Sequence, residues 1–127
     1  MVESAKKILI VDDDPFILDM YVLKFKEHGF QVEVAHEGKE GIVKAKEFQP
    51  DVILLDVVMP AMDGFDVLKK LKENVNGKTP KLIFLTNFGQ REDVERGMRL
   101  GADDYIIKAH FTPTEIVTKV KEVLEKP

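Results

Sequence analysis

The chain has 127 residues, enough for one domain that buries roughly two thirds of its unfolded surface, and no cysteine, which excludes disulfides, thiolate metal sites and a cysteine nucleophile. A formal net charge of -4 with scattered lysines excludes a general nucleic-acid binder, because phosphate-backbone binding takes a concentrated basic surface. No apolar run approaches the ~20 residues of a membrane span, and the segment from Met1 to Lys7 lacks the apolar stretch of a secretory signal, so a soluble cytoplasmic protein without a membrane partner is expected.

The first apolar run, Ile8-Leu9-Ile10-Val11, reads as a buried strand and ends in Asp12, Asp13 and Asp14. Pro15 sets a helix start, and Asp14 just before it reads as the N-cap, which leaves Asp12 and Asp13 for chemistry. The helix carries Ile17, Leu18, Tyr21, Val22 and Phe25 and stops at His28-Gly29, with the glycine as C-terminal cap. Phe30 to Ala35 alternates as an edge strand does. A second helix is expected from about Gly38 to Glu47, with Ile42, Val43, Ala45 and Phe48 as its apolar side and Pro50 beyond its end.

Val52-Ile53-Leu54-Leu55 is a strand apolar on both faces, and Asp56 follows it directly. In an open parallel sheet, ligands bind at the carboxyl ends of the strands, so a bare carboxylate there is a site residue before it is a packing residue. A loop of turn formers from Val57 to Gly64 leads into a helix through Val67, Leu68 and Leu71, and Asn74 to Pro80 reads as a loop. Lys81 to Leu85 is a fourth strand, ended by Thr86. Arg91 to Leu100 reads as a weak, movable helix, because Gly97 interrupts it and charges dominate it. Tyr105-Ile106-Ile107 is a fifth strand, followed by Lys108. Thr112, Pro113 and Glu115 then form a complete helix start with capping-box spacing, ahead of Ile116, Val117, Val120, Val123 and Leu124. Five βα units fill residues 1–127 as one domain, and right-handed crossovers make a doubly wound α/β parallel sheet the expected solution.

Four strand ends therefore offer polar groups to one edge: Asp12 and Asp13, Asp56, Thr86 and Lys108. Taken singly, Thr86 reads as a helix-initiating residue, Tyr105 as a strand aromatic and Lys108 as a solvated charge. Beside three carboxylates they have a joint logic. Crowded carboxylates repel unless a hard divalent cation binds among them, and magnesium suits a site that also keeps waters and phosphoryl oxygens as ligands. A lysine and a hydroxyl complete a phosphoryl cradle. His28, His36 and His110 show no metal-ligand spacing and read as surface or loop positions.

At Ile8-Leu9-Ile10-Val11-Asp12-Asp13, Leu54-Leu55-Asp56, Met59-Pro60-Ala61-Met62-Asp63-Gly64, Leu85-Thr86 and Gly101 to Lys108, the chain resembles the receiver domain of two-component response regulators, over essentially its whole length. The resemblance implies a flavodoxin-like sheet in the order 2-1-3-4-5. It implies that Asp56 accepts a phosphoryl group from a sensor histidine kinase or phosphotransfer protein. Asp13 would bind Mg2+ directly, Asp12 through water, and Val58 through its backbone carbonyl. Lys108 would pair first with Asp56, Thr86 would turn toward the phosphoryl group, and Tyr105 would follow from an exposed to a buried rotamer. The output face would be the fourth helix, fifth strand and fifth helix, read by a downstream protein or by a second copy of the chain.

Two departures from the family pattern stand out. Ala109 follows Lys108 where a cis proline is usual, and a cis Lys108-Ala109 peptide is expected, keeping Lys108 aimed at Asp56 in spite of a cost of about 2.5–4 kcal/mol. Asn87 and Phe88 follow Thr86 where a small residue is usual, and with Val58 they narrow the mouth, implying slow turnover. Rival readings are a phosphate-independent pseudo-receiver and a Mg2+-dependent phosphohydrolase with an Asp nucleophile. The Asp12/Asp14 spacing partly matches the latter, but Phe16 replaces its Thr or Val and there is no cap-domain length.

Overall fold

The computed structural model describes residues 5–73 and 79–127, so most of the loop expected from Asn74 to Pro80 lies outside the described residues. Five parallel strands, β1 (Lys7–Val11), β2 (Gln31–Ala35), β3 (Val52–Leu55), β4 (Lys81–Thr86) and β5 (Asp104–Ile107), form one sheet in the order β2-β1-β3-β4-β5. Helices α1 (Pro15–Glu27), α2 (Gly38–Phe48), α3 (Gly64–Glu73) and α4 (Arg91–Arg99) fill the crossovers, and α5 (Pro113–Glu125) follows β5.

The alternation of side chains along each strand divides the core into two layers. Ile8, Ile10, Leu54, Ile83 and Ile106 face α1 and α5, while Leu9, Val11, Ile53, Leu55 and Phe84 face the other side, where α3 packs. Central β3 is buried at every position, whereas edge strand β2 is mostly half-buried, as its alternation implies. The aromatic chain Phe65–Phe84–Tyr105, with centroids 5.3 and 5.5 Å apart, joins α3, β4 and β5 across the second layer.

The caps read from the sequence are formed. Asp14 Oδ1 accepts hydrogen bonds from the Phe16 and Ile17 amides at 2.9 and 3.3 Å. One oxygen of the Asp14 carboxylate is thus committed to the helix start, as its reading as the N-cap expects. Thr112 and Glu115 close a reciprocal capping box at 2.8 and 3.2 Å. Gly29, with φ +86°, follows α1 in the left-handed conformation that suits glycine.

Six boundaries differ from expectation by one residue. β1 begins at Lys7, β5 at Asp104, and β2 at Gln31 because Phe30 turns inward onto Phe25 (centroids 5.1 Å); α2 extends to Phe48, α4 stops at Arg99, and Thr86 is the last residue of β4, paired with Ile107, instead of lying past it. Gly97 has a packing reason that its helix propensity conceals: it is the only buried position of α4 among the described residues.

Ala109 is a correction. Among the described residues no peptide bond is cis, and Lys108–His110 form a single 3-10 turn in which Phe111 N donates to Lys108 O at 3.3 Å. Without the proline ring nothing offsets the cost of a cis bond, and the trans chain still brings Lys108 to the carboxylates.

The β3–α3 loop is held by one close approach. Gly64 N donates to Val57 O at 2.8 Å, and a Cβ on Gly64 would lie 2.4 Å from the Asp56 carbonyl oxygen and 2.9 Å from Val57 Cα. Those are backbone atoms and cannot step aside. Gly64→Ala is expected to destabilise the domain by about 3 kcal/mol, the upper end of ordinary overpacking costs, as a lowered urea midpoint with an unchanged m-value.

Candidate functional site

The polar residues that follow the strands converge because the hydrogen-bond ladder runs one residue past each strand. Asp12 N donates to Ala35 O at 3.1 Å and Asp56 N to Val11 O at 3.0 Å. These bonds fix both carboxylates where the strand order reverses between β1 and β3, the crevice in which parallel α/β sheets bind ligands. A cleft of about 210 Å³ opens there, lined by Asp12, Asp13, Asp14, Ile17, Asp56, Val58, Thr86, Asn87, Phe88 and Lys108.

One carboxylate oxygen from each of Asp12, Asp13 and Asp56 lies within 4.8 Å of the others. Asp12 and Asp56 are buried at 3% and 8% exposure, and Asp13 is exposed. At such separations each ionised pair repels by roughly 3–4 kcal/mol even with substantial screening. Lys108 is the counter-charge: its Nζ donates to Asp12 Oδ2 at 2.6 Å and stands 3.5 Å from Asp56 Oδ2. The resemblance paired Lys108 with Asp56 first; the structure puts it nearer Asp12. The other Asp12 oxygen accepts from Asp14 N at 2.9 Å, so both of its oxygens are engaged.

Burial raises the pKa of Asp12 above its ordinary value, with the Asp56 charge adding to the rise and Lys108 and the Asp14 amide opposing it. Thr86, 1% exposed, accepts a hydrogen bond from Phe88 N at 3.1 Å through Oγ1. Tyr105 is outside the cleft lining. Its hydroxyl donates to the Phe88 carbonyl, and burial, reinforced by Asp93 and Asp56, pushes the phenol up to about 12. Val58 and Phe88 present apolar side chains at the mouth, 57% and 43% exposed, and Asn87 stands between Thr86 and Phe88.

The structure thus gathers Asp12, Asp13, Asp56, Val58, Thr86, Asn87, Phe88 and Lys108 at one cleft. His28, His36 and His110 are exposed and none lines it. Ile17 escaped the sequence reading as a lining residue because its periodicity placed it with the α1 core. It stands one turn into α1 beyond Asp14, and that proximity was the available signal.

A family model for the response regulator receiver domain matches residues 8–121. The chain belongs to that family. This receiver is 38% identical over 125 residues to the alkaline phosphatase synthesis transcriptional regulatory protein PhoP of Bacillus subtilis, an alignment covering 95% of the chain and 49% of PhoP. It spans about half the length of the curated relatives it matches. Two solved structures align with nearly their whole length. The CheY-like receiver domain protein of Methanospirillum hungatei has a TM-score of 0.88 and 34% identity, covering 96% of this chain and 95% of that one. Chemotaxis protein CheY4 of Vibrio cholerae has 0.87 and 31%, covering 94% and 99%. As a receiver, the domain is a phosphoacceptor module of two-component signalling, and its aspartate cluster lies at the phosphorylation site. Among the described residues no helix is long and apolar enough to cross a membrane.

The raised Asp12 pKa has a signed consequence. The folded state holds this proton more tightly than the unfolded chain does, so the associated stability is complete below the ordinary value of 3.8 and is lost as pH rises through the raised value. In chelator, urea midpoints of the wild type are expected to fall across that window relative to those of Asp12→Asn. Parallel pH profiles for the two proteins would contradict it.

Proposed function

We propose that Asp56 is the phosphoacceptor, taking its phosphoryl group from a phosphohistidine on a sensor kinase or phosphotransfer protein. The observation that carries this is the convergence of Asp12, Asp13, Asp56, Thr86 and Lys108 on one cleft at the carboxyl edge of the sheet. An Asp56 carboxylate oxygen attacks phosphorus in line, the P–N bond breaks, and its electron pair leaves with the imidazole. Such transfer is chiefly positioning and charge stabilisation, and preorganised groups of this kind supply both.

Three carboxylate oxygens within 4.8 Å fit a hard divalent cation, and Mg2+ accepts few protein carboxylates while keeping places for water and phosphoryl oxygens. Bound there, Mg2+ supplies neutralisation of the carboxylates and of the transferring group. In this reading Asp13, exposed at the cleft, is a direct ligand. Asp12, with both oxygens engaged, suits contact through water, and Asp56 and the Val58 carbonyl are the remaining protein ligands in this reading.

Lys108 shifts its charge from Asp12 toward the phosphoryl oxygens, and Thr86 turns its hydroxyl to the same group, giving up the Phe88 amide. Tyr105, bound to the Phe88 carbonyl, follows the loop. The change is read on α4, β5 and α5 by a protein partner or a second copy, a two-state response biased by the new charge. A cytoplasmic setting suits a phosphohistidine donor. The complete acidic set supports this reading over a phosphate-independent binding module, and the commitment of Asp14 to its helix cap supports it over a phosphohydrolase.

Acetyl phosphate with Mg2+ is expected to add one phosphoryl group to the wild type by intact mass. The adduct should be absent without Mg2+ and in Asp56→Asn; an adduct that persisted in Asp56→Asn would overturn the assignment.

Asn87, Phe88 and Val58 crowd the path of an attacking water. Asn87→Ala is expected to speed both phosphorylation by acetyl phosphate and hydrolysis of the adduct severalfold. Unchanged rates would remove these side chains as a barrier.

A further inference from the structure

Helix α4 turns a residue without a side chain toward the rings of the sheet. Gly97 is its only buried position among the described residues, and a Cβ built there would lie 3.0 Å from Tyr105 Cδ2 and 3.1 Å from Phe84 Cδ2 and Cε2. These approaches are tighter than most packed carbon contacts, so a ring must give by a few tenths of an ångström. Phe84 cannot, being 0% exposed and stacked between Phe65 and Tyr105. Tyr105 can: it is half-buried on an edge strand, and its fixed polar contact is the hydroxyl on the Phe88 carbonyl. Phe88 in turn gives its amide to Thr86. The missing methyl at residue 97 is therefore mechanically connected, through Tyr105 and one loop residue, to the hydroxyl in the phosphorylation cleft.

We infer that Gly97 is a positioning residue of the switch: its bare backbone forms the seat that holds the Tyr105 ring against α4, and filling the seat displaces Tyr105 outward and opposes phosphorylation at Asp56. The second half of this statement rests on the proposed response of Thr86 and Tyr105 to the phosphoryl group. The first half rests on packing alone.

The chain has two tyrosines and no tryptophan, so 3-fluorotyrosine gives two 19F lines, which the Tyr21→Phe variant assigns. The full chain would be observed with and without Mg2+ and beryllofluoride, a phosphoryl mimic. In Gly97→Ala the free-protein Tyr105 line is expected to move toward its denatured position and to show a larger H2O/D2O solvent shift. Apparent beryllofluoride affinity should fall about fivefold, the low end of ordinary coupling between sites. Tyr105→Ala should abolish that difference, so that Gly97→Ala/Tyr105→Ala binds like Tyr105→Ala alone. Gly97→Ser carries the same collision and serves if the alanine variant fails to fold by circular dichroism. An unmoved Tyr105 line in a folded variant overturns the inference, as does an affinity loss that survives in the Tyr105→Ala background. A wild-type Tyr105 line indifferent to beryllofluoride, with a displaced line in Gly97→Ala, upholds the seat and overturns the switch reading of Tyr105 instead.

Discussion

The mutual repulsion of three carboxylates at one strand edge is the constraint on which the rest of this structure depends. Asp12 and Asp56 are held by backbone bonds that continue the sheet ladder, so they cannot move apart without unzipping the ends of β1 and β3. Asp13 is attached to the first of them. The fold thereby maintains a concentration of negative charge that water would disperse, and the burial of Asp12 shows in its raised pKa. Lys108, at 2.6 Å from Asp12 and 3.5 Å from Asp56, relieves the strain only in part. A site left with surplus negative charge and a short opening to solvent is prepared for a cation and, through it, for a phosphoryl group.

The scaffold around this site is built for rigidity on one side and adjustment on the other. β1 and β3 are central, nearly water-free strands, and Gly64 lets the β3–α3 loop lie directly on the backbone of Asp56 and Val57. On the β4–β5 side burial is less complete, with β5 buried at one of its four positions. β5 is an edge strand, α4 has a single buried position among the described residues, a glycine, and Thr86, Phe88 and Tyr105 are linked by single hydrogen bonds through one residue, Phe88. In the proposed function the reacting carboxylate lies on the stiff half and the responding hydroxyls on the loose half, a physically sensible division, because electrostatic stabilisation requires fixed dipoles whereas a readout requires alternatives of similar energy.

Much of the fold could be read in order along the chain because its signals are short-range. Asp14-Pro15 and Thr112-Pro113 announce helix starts by capping chemistry within one turn, and the runs Ile8–Val11 and Val52–Leu55 announce strands covered on both faces. The gathering of Asp12, Asp13, Asp56, Thr86 and Lys108 was legible because each comes at or just after a strand's end and parallel strands share one carboxyl edge. Ile17 was not, since apolar periodicity cannot distinguish a side chain that lines a cleft rim from one that only packs. Gly97 was read through its propensity alone, and the ring packing that accounts for it comes from strands remote in the chain.

By itself, then, the sequence determined the succession of elements, their caps and the identity of the groups delivered to one edge, all consequences of chemistry acting over a few residues. Tertiary structure alone decided that Lys108 sits closer to Asp12 than to Asp56, 2.6 against 3.5 Å, a preference between partners 96 and 52 positions away in the chain. It also decided that Lys108-Ala109 is trans, because whether a strained peptide survives depends on what the surrounding loop returns for it, and here a 3-10 turn reaches the carboxylates without it. And it decided that a helix-weakening glycine would be a packing surface, since a missing side chain acquires meaning only from the atoms that move into its place.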